Sequence, residues 1–144
     1  MKYKELKNYK YEVAETYSIK TDLAPKQDIY EPNADKPFIK LSTNGILYIY
    51  AGYAWDGASG VAVDTKNFMR GSLVHDAFYQ LMRQGKIAFE HRDYADKLLK
   101  RICMEDGMSS FRANNVYYAV KLFGESSAAP TQKTEIQETI LEAP

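Results

Sequence analysis

Four side chains in the middle of this 144-residue chain have the types and spacing that hydrolytic chemistry needs. His75 and Asp76 are adjacent, Tyr79 follows one helical turn later, and Asp96 lies further on. A neutral imidazole can take a proton from water, and a carboxylate on its other nitrogen can orient it and balance the imidazolium that forms. Neighbouring residues on a helix point about 100° apart. His75 and Asp76 therefore cannot address one atom together, but they can aim a base at a substrate and a carboxylate at a cation. The same four side chains can equally form a buried polar network with no chemistry, since buried polar groups must be satisfied by something.

Helices must position these residues. The run from Asn67 to about Arg83 places Phe68, Ser72, His75 and Tyr79 on one stripe, with Gly85 as its stop. Phe89 to Asp106 repeats the periodicity through Tyr94, Ala95, Leu98, Leu99 and Ile102 and ends at Gly107. Ser109 or Ser110 caps a third helix that runs to Phe123 and closes at Gly124. The short connections predict antiparallel neighbours, which brings Asp96 to the middle of the first helix. Asp93, almost one turn before Asp96, is its rival for the orienting role, and Arg92 and Asp93 are candidates for a surface ion pair.

Ahead of the helices, the segment Ala51 to Gly60 reads as a glycine-broken loop. Gly57 and Gly60 allow a tight path that turns carbonyl oxygens inward for a hard cation such as calcium. The alternative is an ordinary strand-to-helix crossing with Trp55 as a core anchor. Earlier still, Tyr9, Tyr11, Val13, Tyr17 and Ile19 alternate with polar residues and predict one half-buried strand. Lys20 to Lys36 reads as a loop, and Phe38 to Tyr50 as a β-hairpin turning at Asn44-Gly45. The fold class expected is α+β: an N-terminal antiparallel β-sheet followed by a three-helix unit. Residues 1–124 form one domain in this reading. Residues 125–144, with four Glu against Lys133, form a flexible acidic tail whose segment Thr134 to Leu141 has the pattern of a short helix.

Composition closes several other routes. Lys plus Arg number 19 and Asp plus Glu number 19, so overall charge favours neither nucleic acid nor an anionic membrane, and no nucleic-acid partner is expected. Twelve tyrosines suit half-buried strands and contact surfaces. Cys103 is the single cysteine, which excludes an internal disulfide and reads as a small core residue. No zinc-ligand spacing, dinucleotide fingerprint or Walker lysine occurs. His91, the other histidine, lies downstream of the His-Asp pair, whereas the His…His-Asp…Asp metal phosphohydrolases need one upstream. Neither a secretory signal nor an apolar run of membrane-spanning length is found.

Two resemblances meet on these residues. Ala51-Gly52-Tyr53, Asp56-Gly57-Ala58-Ser59, Leu73 to Tyr79, Arg92…Ala95-Asp96, Tyr118-Ala119-Val120 and Phe123-Gly124 together resemble an uncharacterised domain family widespread in tailed bacteriophages and prophages. The likeness covers roughly residues 35 to 124. It implies a phage-encoded protein, located in the host cytoplasm during infection or in the virion, with virion proteins as partners.

The same helices are similar to phospholipase A2 in its compact bacterial and fungal forms. There, a glycine-containing calcium loop precedes a His-Asp-x-x-Tyr helix, and a second helix supplies an Asp. The similarity implies His75 as general base, Asp96 as the carboxylate that orients it and Tyr79 as the tyrosine supporting the pair. It also implies calcium as cofactor, held by Asp76 and the loop carbonyls of Trp55, Gly57 and Ser59, and a lipid or membrane-surface substrate. Those enzymes fix their helices with disulfides, which this chain lacks. The rival expectation is a non-enzymatic virion or host-interaction protein. A hydrolytic site needs Asp96 or Asp93 within hydrogen-bond reach of His75 beside an open cleft.

Overall fold

A computed structural model describes residues 1–6, 11–57 and 65–130. The chain is α+β: among the described residues seven short strands come first and four α-helices follow. Strands β1 (Tyr3–Glu5), β2 (Tyr11–Val13) and β7 (Ala54–Trp55) form one antiparallel sheet in the order β1-β2-β7. Strands β3 (Tyr17–Lys20), β4 (Ile29–Glu31), β5 (Ile39–Leu41) and β6 (Ile46–Ile49) form a second, in the order β3-β6-β5-β4.

The β5–β6 hairpin forms as expected, with Leu41 opposite Leu47 and Ile39 opposite Ile49, and all four side chains buried. Gly45 carries the positive φ of its turn, at 83°. The period-two run corrects differently. It is not one strand: bends at Ala14 and Glu15 split it, sending Tyr11–Val13 to the first sheet and Tyr17–Lys20 to the second. Alternation reports which face is buried but not which neighbour a strand pairs with. Tyr9 lies outside the described residues. The expected loop at Lys20 to Lys36 contains β4, paired with β5, and the glycine-broken segment contains β7, paired with β2.

Helices α1 (Lys66–Arg83), α2 (Arg92–Glu105) and α3 (Ser110–Phe123) match the sequence expectation within a few residues. A 3-10 turn, Phe89–His91, leads into α2. Gly85 and Gly107 end α1 and α2 in the same way. At each, the amide after the glycine bonds back to the third-last helical carbonyl, Lys86 to Leu81 and Met108 to Cys103. The Ser109 hydroxyl caps α3 by accepting the Arg112 amide at 3.2 Å.

Contacts between α1 and α2 descend along one as they ascend along the other. A Cβ on Gly71 would meet Leu99 and Cys103, His75 meets Asp96, and Tyr79 meets Arg92, so the two helices are antiparallel. A hydrogen side chain at 71 is what lets them approach: an added Cβ would sit 3.0 Å from both the Cys103 sulfur and a Leu99 methyl. One continuous core joins both sheets to α1 and α2, through Val13, Trp55, Ile39 and Ile49 on one side and Leu73, Phe78 and Ile102 on the other.

The segment expected as a tail from residue 125 begins with a short helix. Helix α4 (Glu125–Ala128) packs back on α1 with Ala128 fully buried, because that small side chain completes the core. The segment from 131, including Thr134 to Leu141, lies outside the described residues. Among the described residues, no helix is long and apolar enough to cross a membrane.

Candidate functional site

The α1 stripe and the antiparallel return of α2 bring the site together. His75 Nε2 lies 2.7 Å from Asp96 Oδ1, and the Tyr79 hydroxyl donates to the same oxygen at 2.5 Å. An ionised carboxylate only accepts, so Nε2 carries the proton and Nδ1 keeps its lone pair. Tyr79, four residues after His75 on the same helix face, packs its ring 4.0 Å from the imidazole. Asp96 is 1% exposed and His75 7%.

Asp93, the rival carboxylate, faces outward. It accepts from the Tyr117 hydroxyl at 2.8 Å and pairs with Lys97 at 2.8 Å. Arg92 does not join it in a surface pair, and this is the site residue that sequence reasoning placed wrongly. Its Nε donates to the Tyr79 hydroxyl at 3.2 Å, while a terminal nitrogen donates to the carbonyls of Val120, at 3.0 Å, and Lys121. A cation at the first residue of α2 stands at the unfavourable end of that helix's dipole. Its guanidinium reaches the C-terminal carbonyls of α3, where positive charge is favoured. Gly124 completes the arrangement. A Cβ there would sit 2.6 Å from the Val120 carbonyl oxygen and 2.8 Å from the Tyr79 hydroxyl, so only glycine lets α3 end against the tyrosine.

Electrostatics follow from this burial. Desolvation alone would lower the His75 pKa, but the Asp76 and Asp96 carboxylates outweigh it and hold the imidazole above its ordinary value. Asp76 Oδ1 is 3.8 Å from Nδ1, a charge contact too long for a hydrogen bond. Burial likewise pushes the Tyr79 phenol well above its usual range, Asp96 adds to the shift, and Arg92 opposes it. The phenol therefore stays protonated and remains a donor.

Among the described residues, two cavities open on these side chains and share Asp76, Tyr79 and Ser127. The smaller, about 210 Å³, is lined by His75 together with apolar Phe68, Leu99, Val120 and Phe123. The larger, about 530 Å³, runs along α1 below β7.

Of the four residues expected to hold a metal, Asp76 is 33% exposed where the cavities meet, and Gly57 lines the smaller one. Trp55 is a β7 residue whose ring anchors the core and whose Nε1 donates to Ser72 Oγ at 3.0 Å. Ser59 lies outside the described residues. Burial raises the Asp76 pKa, and the nearby Asp56 charge adds to it, against the opposing effects of His75 and Arg83. A desolvated carboxylate beside a second one is placed where positive charge is favoured, and oxygen donors suit a hard cation. Among the described residues, no group of three or more His, Cys, Asp or Glu is assembled to hold a metal.

Fold and site together define an α+β chain with a His–Asp–Tyr–Arg polar centre between its first two helices. No protein-family model matches the chain, and no curated protein or solved structure matches it either.

Proposed function

We propose that this chain is a bacteriophage-encoded, phospholipase A2-like esterase that hydrolyses a lipid ester with calcium as its cofactor. The observation that carries this reading is the 2.7 Å contact that commits Nε2 of His75 to Asp96 while His75 lines a cavity. Nδ1 takes a proton from water, and Asp96 holds the ring and balances the imidazolium. Tyr79, itself braced by Arg92, fixes the accepting oxygen of Asp96. The apolar wall of the smaller cavity suits an acyl chain. Calcium bound at Asp76 and the carbonyls of Trp55, Gly57 and Ser59 would polarise the ester carbonyl and stabilise the oxyanion.

Phage origin, in the host cytoplasm during infection or in the virion, is supported by the ordered motif set. Its outlying members Arg92 and Gly124 both contact Tyr79 or would clash with it, so motifs far apart in the chain converge on one site.

One observation favours a second reading. Among the described residues every buried side-chain polar atom has a partner, as a purely structural network requires. In that case the chain is a non-enzymatic virion or host-interaction protein. Fatty-acid release from mixed liposomes that carry both phospholipid and neutral glycolipid esters separates the two readings, with wild type and His75→Ala each assayed in calcium and in chelator. Release that needs both His75 and calcium is expected. Equal rates in all four conditions remove the esterase, and co-purification with assembled particles then tests the virion role.

A further inference from the structure

The larger cleft holds polar groups that the hydrolytic site does not use. One wall is a single stripe of α1, on which Gln80, Arg83 and Gln84 continue from Asp76 at helical spacing. Gln80 and Gln84 are both lining residues of this cleft. Phe38, an aromatic side chain left 44% exposed, lines the same cleft.

Tyr53 is the most telling member. Its residue is only 5% exposed, yet its hydroxyl makes no hydrogen bond with any described residue. Tyr53 is one of the residues that line the cleft. A phenol presents an O–H that both donates and accepts. The volume, about 530 Å³, falls within the range of small-molecule sites.

The groups fit one ligand chemistry better than its rivals. Two primary amides and a phenol offer paired donors and acceptors, which neighbouring hydroxyls on a ring can satisfy in both senses. The exposed face of Phe38 carries the negative side of its quadrupole and suits the C–H face of such a ring. Asp56 and Asp76 outnumber Arg83 in the described lining, and the Arg83 guanidinium already donates to the Ser127 carbonyl, so an anionic head group is disfavoured. A quaternary ammonium calls for a cage of open aromatic faces, whereas the other rings here, Tyr53, Trp55 and Tyr79, are buried.

We propose that this cleft binds a neutral polyhydroxylated ring, a sugar or cyclic polyol, which forms the alcohol side of the ester cleaved at His75. The binding claim stands on the cleft alone, and its link to cleavage rests on the esterase reading.

The test titrates the isotope-labelled full chain with methyl β-glucoside and with myo-inositol, and in parallel with phosphocholine and glycylglycine amide. Saturable shifts of the Gln80 and Gln84 side-chain amide signals by a neutral ring are expected. Tyr53→Phe removes one hydrogen bond and should weaken binding roughly 2- to 12-fold. Phe38→Ala removes the aromatic face and should weaken it by a similar factor, roughly 2- to 12-fold. Both changes should leave the far-ultraviolet circular dichroism unaltered. No saturable shift with either ring overturns the proposal, as does binding indifferent to both substitutions, or preference for phosphocholine or the dipeptide. Fatty-acid release without ring binding overturns the cleft ligand and leaves the esterase standing. Ring binding without release supports the cleft and removes the esterase.

Discussion

Replacing Asp96 by Asn tests the polar centre with the smallest change of shape. Asp96 Oδ1 accepts two hydrogen bonds, from His75 at 2.7 Å and from Tyr79 at 2.5 Å, in a residue 1% exposed. A hydrogen bond to a charged group contributes about 1.5–3 kcal/mol and a neutral one about 0.5–1.5 kcal/mol. Each bond therefore weakens by about 1–1.5 kcal/mol, which gives about 2–3 kcal/mol for the two. Asn escapes the desolvation of a buried carboxylate, so the net loss should fall near the low end, about 2 kcal/mol. Urea denaturation at pH 8 reads that loss. Catalysis should suffer more, because the imidazolium loses its counter-charge: a fall in fatty-acid release of about 10²- to 10⁴-fold is expected. Asp93→Asn is the control and should leave both readouts at the wild-type value, since Asp93 faces solvent beside Lys97 and Tyr117. Equal losses in the two variants, or an Asp96→Asn protein with wild-type stability and turnover, would refute the assignment.

Four further outcomes follow from the structure. A carbon-detected titration of His75 should give a pKa above the ordinary 6.5, and removing the Asp76 charge with Asp76→Asn should lower it. The sign for stability is fixed by that direction. The contribution is fully present below 6.5 and lost as pH rises through the higher folded value, so wild type should gain on His75→Gln as pH falls from 8 to 6. The opposite trend would contradict it. Gly124→Ala should cost about 1–3 kcal/mol in urea denaturation, because its new methyl meets a backbone carbonyl that cannot move aside; unchanged stability would show the close approach to be absent. Cys103, fully buried with its thiol pushed up to about 12, should resist an aromatic disulfide reagent in the native state and react only on unfolding.

How much the sequence disclosed depended on range. The three helices were legible because Phe68, His75 and Tyr79, or Leu98, Leu99 and Ile102, repeat with a period that needs no partner to be recognised. Their glycine stops and the Ser109 cap are local signals of the same kind. Short connections then sufficed to bring Asp96 to His75. The sheets were harder to read: β1 and β7 span three and two residues and exist only through pairing with β2, a long-range choice that no local pattern records. Arg92 was misplaced for a related reason. A charge at a helix start reads as surface, and its burial depends on α3 carbonyls that only the fold brings near. Choosing Asp96 over Asp93 likewise needed the helix rotation, since both lie on the expected helix less than a turn apart.

Everything proposed for the site depends on which nitrogen of His75 carries the proton. Nitrogen-detected magnetic resonance of histidine-labelled protein, recorded above the His75 pKa, reads this directly. A pyrrole-type Nε2 and a pyridine-type Nδ1 are expected, because Asp96 can only accept at 2.7 Å. The reverse tautomer, or rapid averaging of the two, would mean that Asp96 does not hold the ring and that no base faces the cavity.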